Sequence, residues 1–199
     1  MIIMKTKNIL LAGVGGQGTI TAAKLLTTGL MQAGYDVKMS EIHGMSQRGG
    51  SVSSQVRYGD EVQSPVIELG TADILVAFEK MEAMRYINYL KADGKVIVND
   101  TEIWPMPVVI GQAEYHPDIL GELAKIADAK VIPASDIATQ MGNEKVTNVI
   151  LLGTIVKAMG LEHIDWNRII EDNVKPKFVE LNKAAMAKGM ALVAERASH

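Results

Sequence analysis

LLAGVGGQGTITAAKLL, residues 10–26, sets Gly13, Gly15 and Gly18 in GxGxxG spacing at the end of a short apolar run. The spacing alone is a weak signal, and its surroundings give it meaning. Upstream, residues 8–12 read as a buried strand. Downstream, residues 19–33 carry Ile20, Ala23, Leu26, Leu30 and Ala33 at helical spacing, and Gly34 ends the helix. Residues 35–40 read as a second strand, which completes a βαβ unit. In such a unit the amides of the turn and the positive end of the helix dipole face an anion. Glycine is needed where the backbone must approach that ligand or turn through positive φ. A dinucleotide reading also wants an acid at the end of the second strand for the ribose, and Glu41 stands there. Two readings of the turn stay open. Gly13, Gly15, Gly16, Gln17 and Gly18 form an anion cradle, or the glycines only let strand and helix pack tightly. Gln17 places a long polar side chain inside the turn, where it could meet a ligand or a partner.

After Glu41 the pattern departs from a nucleotide-binding fold. In place of another helix the chain gives IHGMSQRGG, residues 42–50. A polar, Gly-rich loop at the carboxyl end of a strand is where open α/β sheets hold ligands. Arg48 could fork onto a phosphate or carboxylate, and His43 could hydrogen-bond or transfer a proton. Ser46, Gln47 and Gly49 complete this candidate set. The competing reading is a surface loop whose glycines make turns and whose Arg48 pairs with Glu41. Then SVSSQVRYGDEVQSPVIEL, residues 51–69, alternates polar and apolar positions on both sides of Gly59-Asp60. That pattern predicts an antiparallel hairpin beside the parallel core.

The α/β rhythm then returns. Strands are expected at residues 74–78, 95–98 and 130–133, with a short edge strand at 108–110, and helices at 81–90 and 119–129. Glu79, Asn99-Asp100 and Ser135-Asp136 fall at strand ends, where such residues mostly cap and turn. The remainder reads as helical. Asn143 stands as an N-cap before residues 146–159, which are apolar nearly all round, more than one core face needs, so that a large partner interface is expected to bury the excess; helices follow at 163–174 and 177–196. The expectation is an α/β chain with a Rossmann-like, mostly parallel sheet, a β-hairpin insertion and a helical C-terminus. No repeat or linker interrupts it, so residues 1–199 read as one domain.

Composition narrows the function. Of 199 residues, 48% are hydrophobic, enough to bury a core. A net charge of −3 gives no support to nucleic-acid binding. No apolar run reaches membrane-spanning length, and the first residues lack a signal-peptide cleavage region, so a cytoplasmic protein without membrane contact is expected. The chain has no cysteine, which excludes disulfides, thiolate zinc sites, a cysteine nucleophile and a cysteine-ligated iron–sulfur cluster within it. Its four histidines are scattered, so no metal site is expected. Twelve methionines against two phenylalanines suggest a core filled by flexible side chains. No catalytic constellation emerges from spacing.

AGVGGQG (12–18), SEIHGMSQRGGSVSSQVRYG (40–59) and ADILVAFEK (72–80) together resemble the gamma-type domain of 2-oxoacid:ferredoxin oxidoreductases. Within that family the resemblance is greatest to the small-subunit group of indolepyruvate ferredoxin oxidoreductases. It extends through VTNVILLGTIVKAMG (146–160) and KPKFVELNKAA (175–185). The resemblance implies a subunit of a complex that oxidatively decarboxylates an aryl-2-oxoacid, forms an acyl-CoA and reduces ferredoxin. It implies that thiamine diphosphate and iron–sulfur clusters sit on a large partner subunit, with coenzyme A as co-substrate. The chain alone would be inactive and would self-associate as a homodimer. The alternatives are the gamma subunit of a pyruvate- or ketoisovalerate-type enzyme, a free-standing NAD(P)-binding oxidoreductase of the ketopantoate-reductase kind, or a non-catalytic nucleotide- or CoA-binding module.

Overall fold

The computed structural model describes residues 5–44 and 49–194. At its centre lies a six-stranded sheet. Four strands run parallel: β1 (Lys7–Val14), β4 (Ala72–Ala77), β5 (Leu90–Asn99) and β6 (Ala129–Ile132). β2 (Asp36–His43) and β3 (Ser51–Gly59) complete the order β2-β3-β1-β4-β5-β6, with β3 antiparallel to both neighbours. This is the expected α/β class with a mostly parallel sheet.

Both faces of the sheet are covered, which explains why its parallel strands read as unbroken apolar runs. On one face Ile9, Leu11, Ile74 and Val76 meet α1 (Thr19–Gln32) and α6 (Thr147–Ala158), with α8 (Val179–Ala194) packed on α6 and α7 (Trp166–Asn173) on α1 and α8. On the other, Leu10, Leu75, Val96 and Val98 meet α2 (Lys80–Tyr86) and α4 (Ile119–Ile126). The core is aliphatic. Met186 is the one methionine among the buried hydrophobic residues described, so methionine does not fill the interior as its abundance suggested. None of the described helices is long and apolar enough to cross a membrane.

The hairpin is present but differently placed. It joins β2 to β3 through residues 44–50, and Gly59 ends β3 without returning into a partner strand. Both edges of β3 are already paired, to β1 and β2, so residues 61–69 have no ladder to join. They cross the sheet face instead, held where the Gln55 Oε1 accepts the Ile67 N–H at 2.7 Å. Residues 108–110 are not an edge strand either. They continue α3 (Met106–Val109), a single turn in which the Val108 and Val109 amides both donate to Pro105 O. Proline suits the first turn of a helix because its missing N–H has no partner there anyway. Ala134 to Asp136, read as a polar strand end, begin α5 (Ala134–Gln140).

The all-round apolar helix α6 is buried inside the chain. Val149, Ile150, Leu151, Leu152, Ile155 and Val156 are all essentially inaccessible. Its excess apolar surface is therefore covered by α1, α5, α8 and the sheet, and leaves nothing for an outside partner. The closest approach is to α8. A Cβ on Gly189 would collide with the carbonyl of Ile150, and one on Gly153 with the carbonyl of Met186. The two backbones touch, so a methyl group has no space to move into.

Gly189→Ala should therefore destabilise the protein despite alanine's better helix propensity. Overpacking of this kind costs about 2 kcal/mol, against roughly 1 kcal/mol at most returned by propensity. A thermal melt should show a drop of several degrees. An unchanged melting temperature would mean that α6 and α8 separate freely.

Candidate functional site

The glycine-rich turn lies between β1 and α1, at the carboxyl edge of the sheet. Gly18 is the N-cap of α1 with φ 83°, and no side chain caps the helix. A Cβ there would also meet the Asn148 amide at 2.7 Å, so the position admits only glycine. The first helical bond runs from Ala22 N–H to Gly18 O at 3.0 Å. The amides of Thr19, Ile20 and Thr21 consequently have no partner within the helix, and they carry its positive dipole end.

Gln17 turns inward. Its Oε1 accepts the Val14 N–H at 2.7 Å, and its Nε2 donates to Phe78 O at 2.8 Å. The side-chain amide ties the turn to the end of β4, so its polarity serves the turn's own shape. Gly13 sits beneath this brace, within 3.0 Å of Gln17 Oε1 for any added Cβ.

The two glycine loops meet. Gly15 N–H donates to Gly50 O at 2.8 Å, and Gly49 N–H approaches Gly15 O at 3.5 Å. His43 ends β2 and is exposed, with Nδ1 3.3 Å from Gly44 O. Glu41 lies directly across from Ser54 on β3. Its Oε1 is buried without a hydrogen-bond partner among the described residues. Because β3 separates β2 from β1, Glu41 is one strand further from the turn than a ribose-binding acid would be. Ser46, Gln47 and Arg48 lie outside the described residues.

Two clefts flank the turn and share Gly16, Gly18 and Thr21. The smaller, about 420 Å³, runs between the start of α1 and the strand ends at His43 and Val52, and among the described residues no carboxylate lines it. The larger, about 650 Å³, reaches across to Thr101, Ile103 and the start of α6. It is mixed in charge, with Lys145, Asp136 and Glu144 all in its lining. Asn99 lies buried behind it: its Nδ2, with two hydrogens to share, is 2.9–3.1 Å from Phe78 O, Thr101 Oγ1 and Ser135 Oγ, and its Oδ1 accepts the Ser135 N–H at 3.2 Å. Asn99 and Ser135 are thus structural braces. Asn143 caps the turn leading into α6 by accepting the Lys145 N–H at 3.0 Å. Thr21, Thr101, Lys145 and Asn148 were not legible as site residues. The signal available was the polar run NEKVTN ahead of an apolar helix, which a helix start explains equally well. Among the described residues no three His, Asp or Glu side chains group as metal ligands do.

The family described as "Pyruvate ferredoxin/flavodoxin oxidoreductase" matches residues 8–192. A Pyrococcus horikoshii protein named "Indolepyruvate oxidoreductase subunit IorB" is 40% identical, with 96% of this chain and 98% of that protein covered. The 2-oxoglutarate synthase subunit KorC of Methanothermobacter thermautotrophicus is 30% identical over 95% of this chain and 96% of its own. Among solved structures, the gamma subunit of a keto/oxoacid ferredoxin oxidoreductase from Geobacter sulfurreducens superposes with TM-score 0.70 at 22% identity, covering 95% of this chain and 99% of that one. A 2-oxoglutarate:ferredoxin oxidoreductase from Magnetococcus marinus, solved with 2-oxoglutarate, coenzyme A and succinyl-CoA, gives TM-score 0.73 at 20% identity. It covers 98% of this chain and 32% of that longer one. At these identities the two structures establish the fold alone.

The brace at Gln17 can be tested by charge. Gln17→Glu keeps the acceptor for Val14 but sets a carboxylate against the Phe78 carbonyl, at a cost of about 1–3 kcal/mol. Protonated, the new carboxyl can donate to that carbonyl, so its folded pKa should be raised. A raised carboxyl pKa means stability falls as pH rises from the unfolded value of about 4. The melting-temperature deficit against wild type should therefore grow between about pH 4.5 and 7. A deficit that does not change with pH would mean that the introduced carboxyl does not face the Phe78 carbonyl.

Proposed function

The chain belongs to the pyruvate ferredoxin/flavodoxin oxidoreductase family, and from that premise we propose that it is the small subunit of an aryl-2-oxoacid, indolepyruvate-type ferredoxin oxidoreductase. The observation that carries the reading is the identity gradient. It stands at 34–40% to four proteins named as indolepyruvate oxidoreductase subunits, and falls to 30% for a 2-oxoglutarate synthase subunit. For the gamma subunit common to pyruvate and ketoisovalerate oxidoreductases of Pyrococcus furiosus it is 27%, over 83% of each chain.

In this reading residues 1–199 act as one gamma-type domain in a cytoplasmic complex that converts an aryl-2-oxoacid and coenzyme A to an acyl-CoA and carbon dioxide, passing two electrons to ferredoxin. Thiamine diphosphate and iron–sulfur clusters on a large partner subunit would supply the decarboxylation and electron-transfer chemistry. A chain without cysteine suits that division, since it has no thiolate to hold a cluster.

This chain's contribution is binding. The unpaired amides at the start of α1 offer a positive end to a phosphate or carboxylate. The smaller cleft suits the anion, because the larger one would set it near Asp136 and Glu144. Coenzyme A, with phosphates at one end and a neutral amide arm at the other, matches a turn flanked by one carboxylate-free and one mixed polar cleft. His43 at the end of β2 and Arg48, next in sequence to the Gly49 that meets this turn, are assigned to the same anion.

Arg48→Ala should raise the apparent KM for coenzyme A, or for the 2-oxoacid if its carboxylate is the anion held. Loss of one charge-assisted contact amounts to roughly 1.5–3 kcal/mol, about one to two decades. Arg48→Lys should recover part of it, because the fork is lost while the charge stays. Unchanged KM for both substrates in an intact complex would make the loop structural. The isolated subunit should turn over no substrate and show no micromolar binding of NAD(P)H by calorimetry. Turnover by the isolated chain, or a clear NAD(P)H isotherm, would favour a free-standing dehydrogenase.

A further inference from the structure

Most exposed apolar side chains of this molecule stand apart along the chain, as on any protein surface. One group does not. Within residues 104–110, Trp104, Met106, Val109 and Ile110 are exposed by 56%, 68%, 61% and 55%. They sit on the excursion between β5 and α4 that contains α3.

This excursion is braced. Its two ends share one carboxylate, because Glu79 Oε1 accepts both the Ile103 N–H at 3.3 Å and the Tyr115 hydroxyl at 2.5 Å. The Trp104 and Tyr115 rings stack with centroids 6.3 Å apart. Inside the arm, Gln112 and Ala113 both donate to Pro107 O. An apolar surface fixed in advance binds with little ordering cost, and Trp is among the side chains most often found at energetic hot spots.

The charges around the arm select its occupant. Asp100, Glu102 and Glu114 flank it, and Lys80 is engaged by Asp100 at 2.7 Å and Glu102 at 3.1 Å. Those ion pairs raise the Lys80 pKa, Asp100 foremost, against the opposing effect of burial. Three carboxylates against one ammonium leave the rim acidic. A second copy of this chain, meeting the first across a two-fold axis, would bring that acidic rim against itself. A partner with an apolar groove edged by Lys or Arg fits. The arm also continues into the candidate site, since Thr101 and Ile103 line the larger cleft.

We infer that the arm from Ile103 to Tyr115 is the docking surface for the large subunit, seated in an apolar groove with a basic rim at the mouth of that cleft. The inference rests on the subunit reading above. It replaces α6, whose apolar surface is buried, as the place where the partner attaches.

The test uses the small subunit titrated onto the purified large subunit, with complex formation followed by analytical ultracentrifugation. Trp104→Glu with Met106→Glu should weaken association by roughly thirtyfold or more. Leu69→Glu, equally exposed but on another loop, should bind as wild type. Because the chain has no cysteine, Met106→Cys gives a unique thiol on this subunit. Its maleimide labelling, read by peptide mass, should slow by about tenfold in the complex through exclusion of solvent at the interface core. The thiol of Leu69→Cys should not slow. Wild-type affinity of the double variant, together with an unprotected thiol in Met106→Cys, would overturn the inference. So would loss of self-association alone with the complex intact, which would make a second copy the occupant. Failure of the wild-type chain to bind any large subunit would instead overturn the subunit reading itself, and is separable because it needs no variant.

Discussion

The antiparallel strand β3 takes the position beside β1 that a parallel second strand would hold in a dinucleotide fold, and the site follows from that substitution. β2 is displaced outward by one strand spacing, about 4.8 Å, and carries Glu41 away from the glycine turn. Because Val14 pairs with Ser51, the loop before β3 must end where the turn begins. That register brings Gly15 to Gly50 and joins the two glycine loops into one surface. Two polar side chains of β3 reach beyond its ladder. Gln55 takes the Ile67 amide, and Arg57 donates to Asn8 Oδ1 and to the carbonyls of Ser64 and Val66. The polar half of the strand's alternation thereby straps residues 64–67 across the sheet.

On the sheet face that α1 also covers, α6 lies where helix, sheet and helix all press on it. A helix surrounded in this way needs apolar residues on every face, and its neighbour can approach closely only where both backbones lack side chains. Gly153 and Gly189 provide that contact. The start of α6 is thereby fixed against the glycine turn, with Asn148 held close to Gly18. The contact with α8 midway along the helix and the Asn148–Gly18 contact at its start thus hold α6 between two neighbours.

How much of this the sequence disclosed depended on whether the signal was local. The strand–turn–helix of residues 8–33 was legible because periodicity and glycine spacing act within one segment. The position of the hairpin was not, because residues 51–59 and 61–69 alternate alike. What separates them is that β3 finds partners on both sides, a long-range fact. Residues 108–110 looked strand-like from their β-branched side chains, yet Pro105 and Pro107 had already set a helical turn. The apolar girth of α6 was correctly read as too much for one core face, but its cover came from within the chain. Glu41 and Gln17 were picked out rightly as unusual. Their surroundings differ from the expectation: one faces Ser54 beneath the sheet's cover, and the other braces its own turn.

Glu79 shows why a cap can be more than a cap. It is 1% exposed, and a carboxylate so buried must have its oxygens satisfied. One oxygen receives the Glu82 amide at the start of α2, and the other receives Ile103 and Tyr115. A single side chain therefore ties a helix start, the rim of the larger cleft and both roots of the exposed arm. Burial first, and the neighbouring Glu79 carboxylate second, hold the Tyr115 phenol well above its ordinary range. The phenol stays protonated wherever the protein is folded near neutrality, so it always donates. That donated bond holds one root of the arm to the same side chain that receives the Ile103 amide at the other.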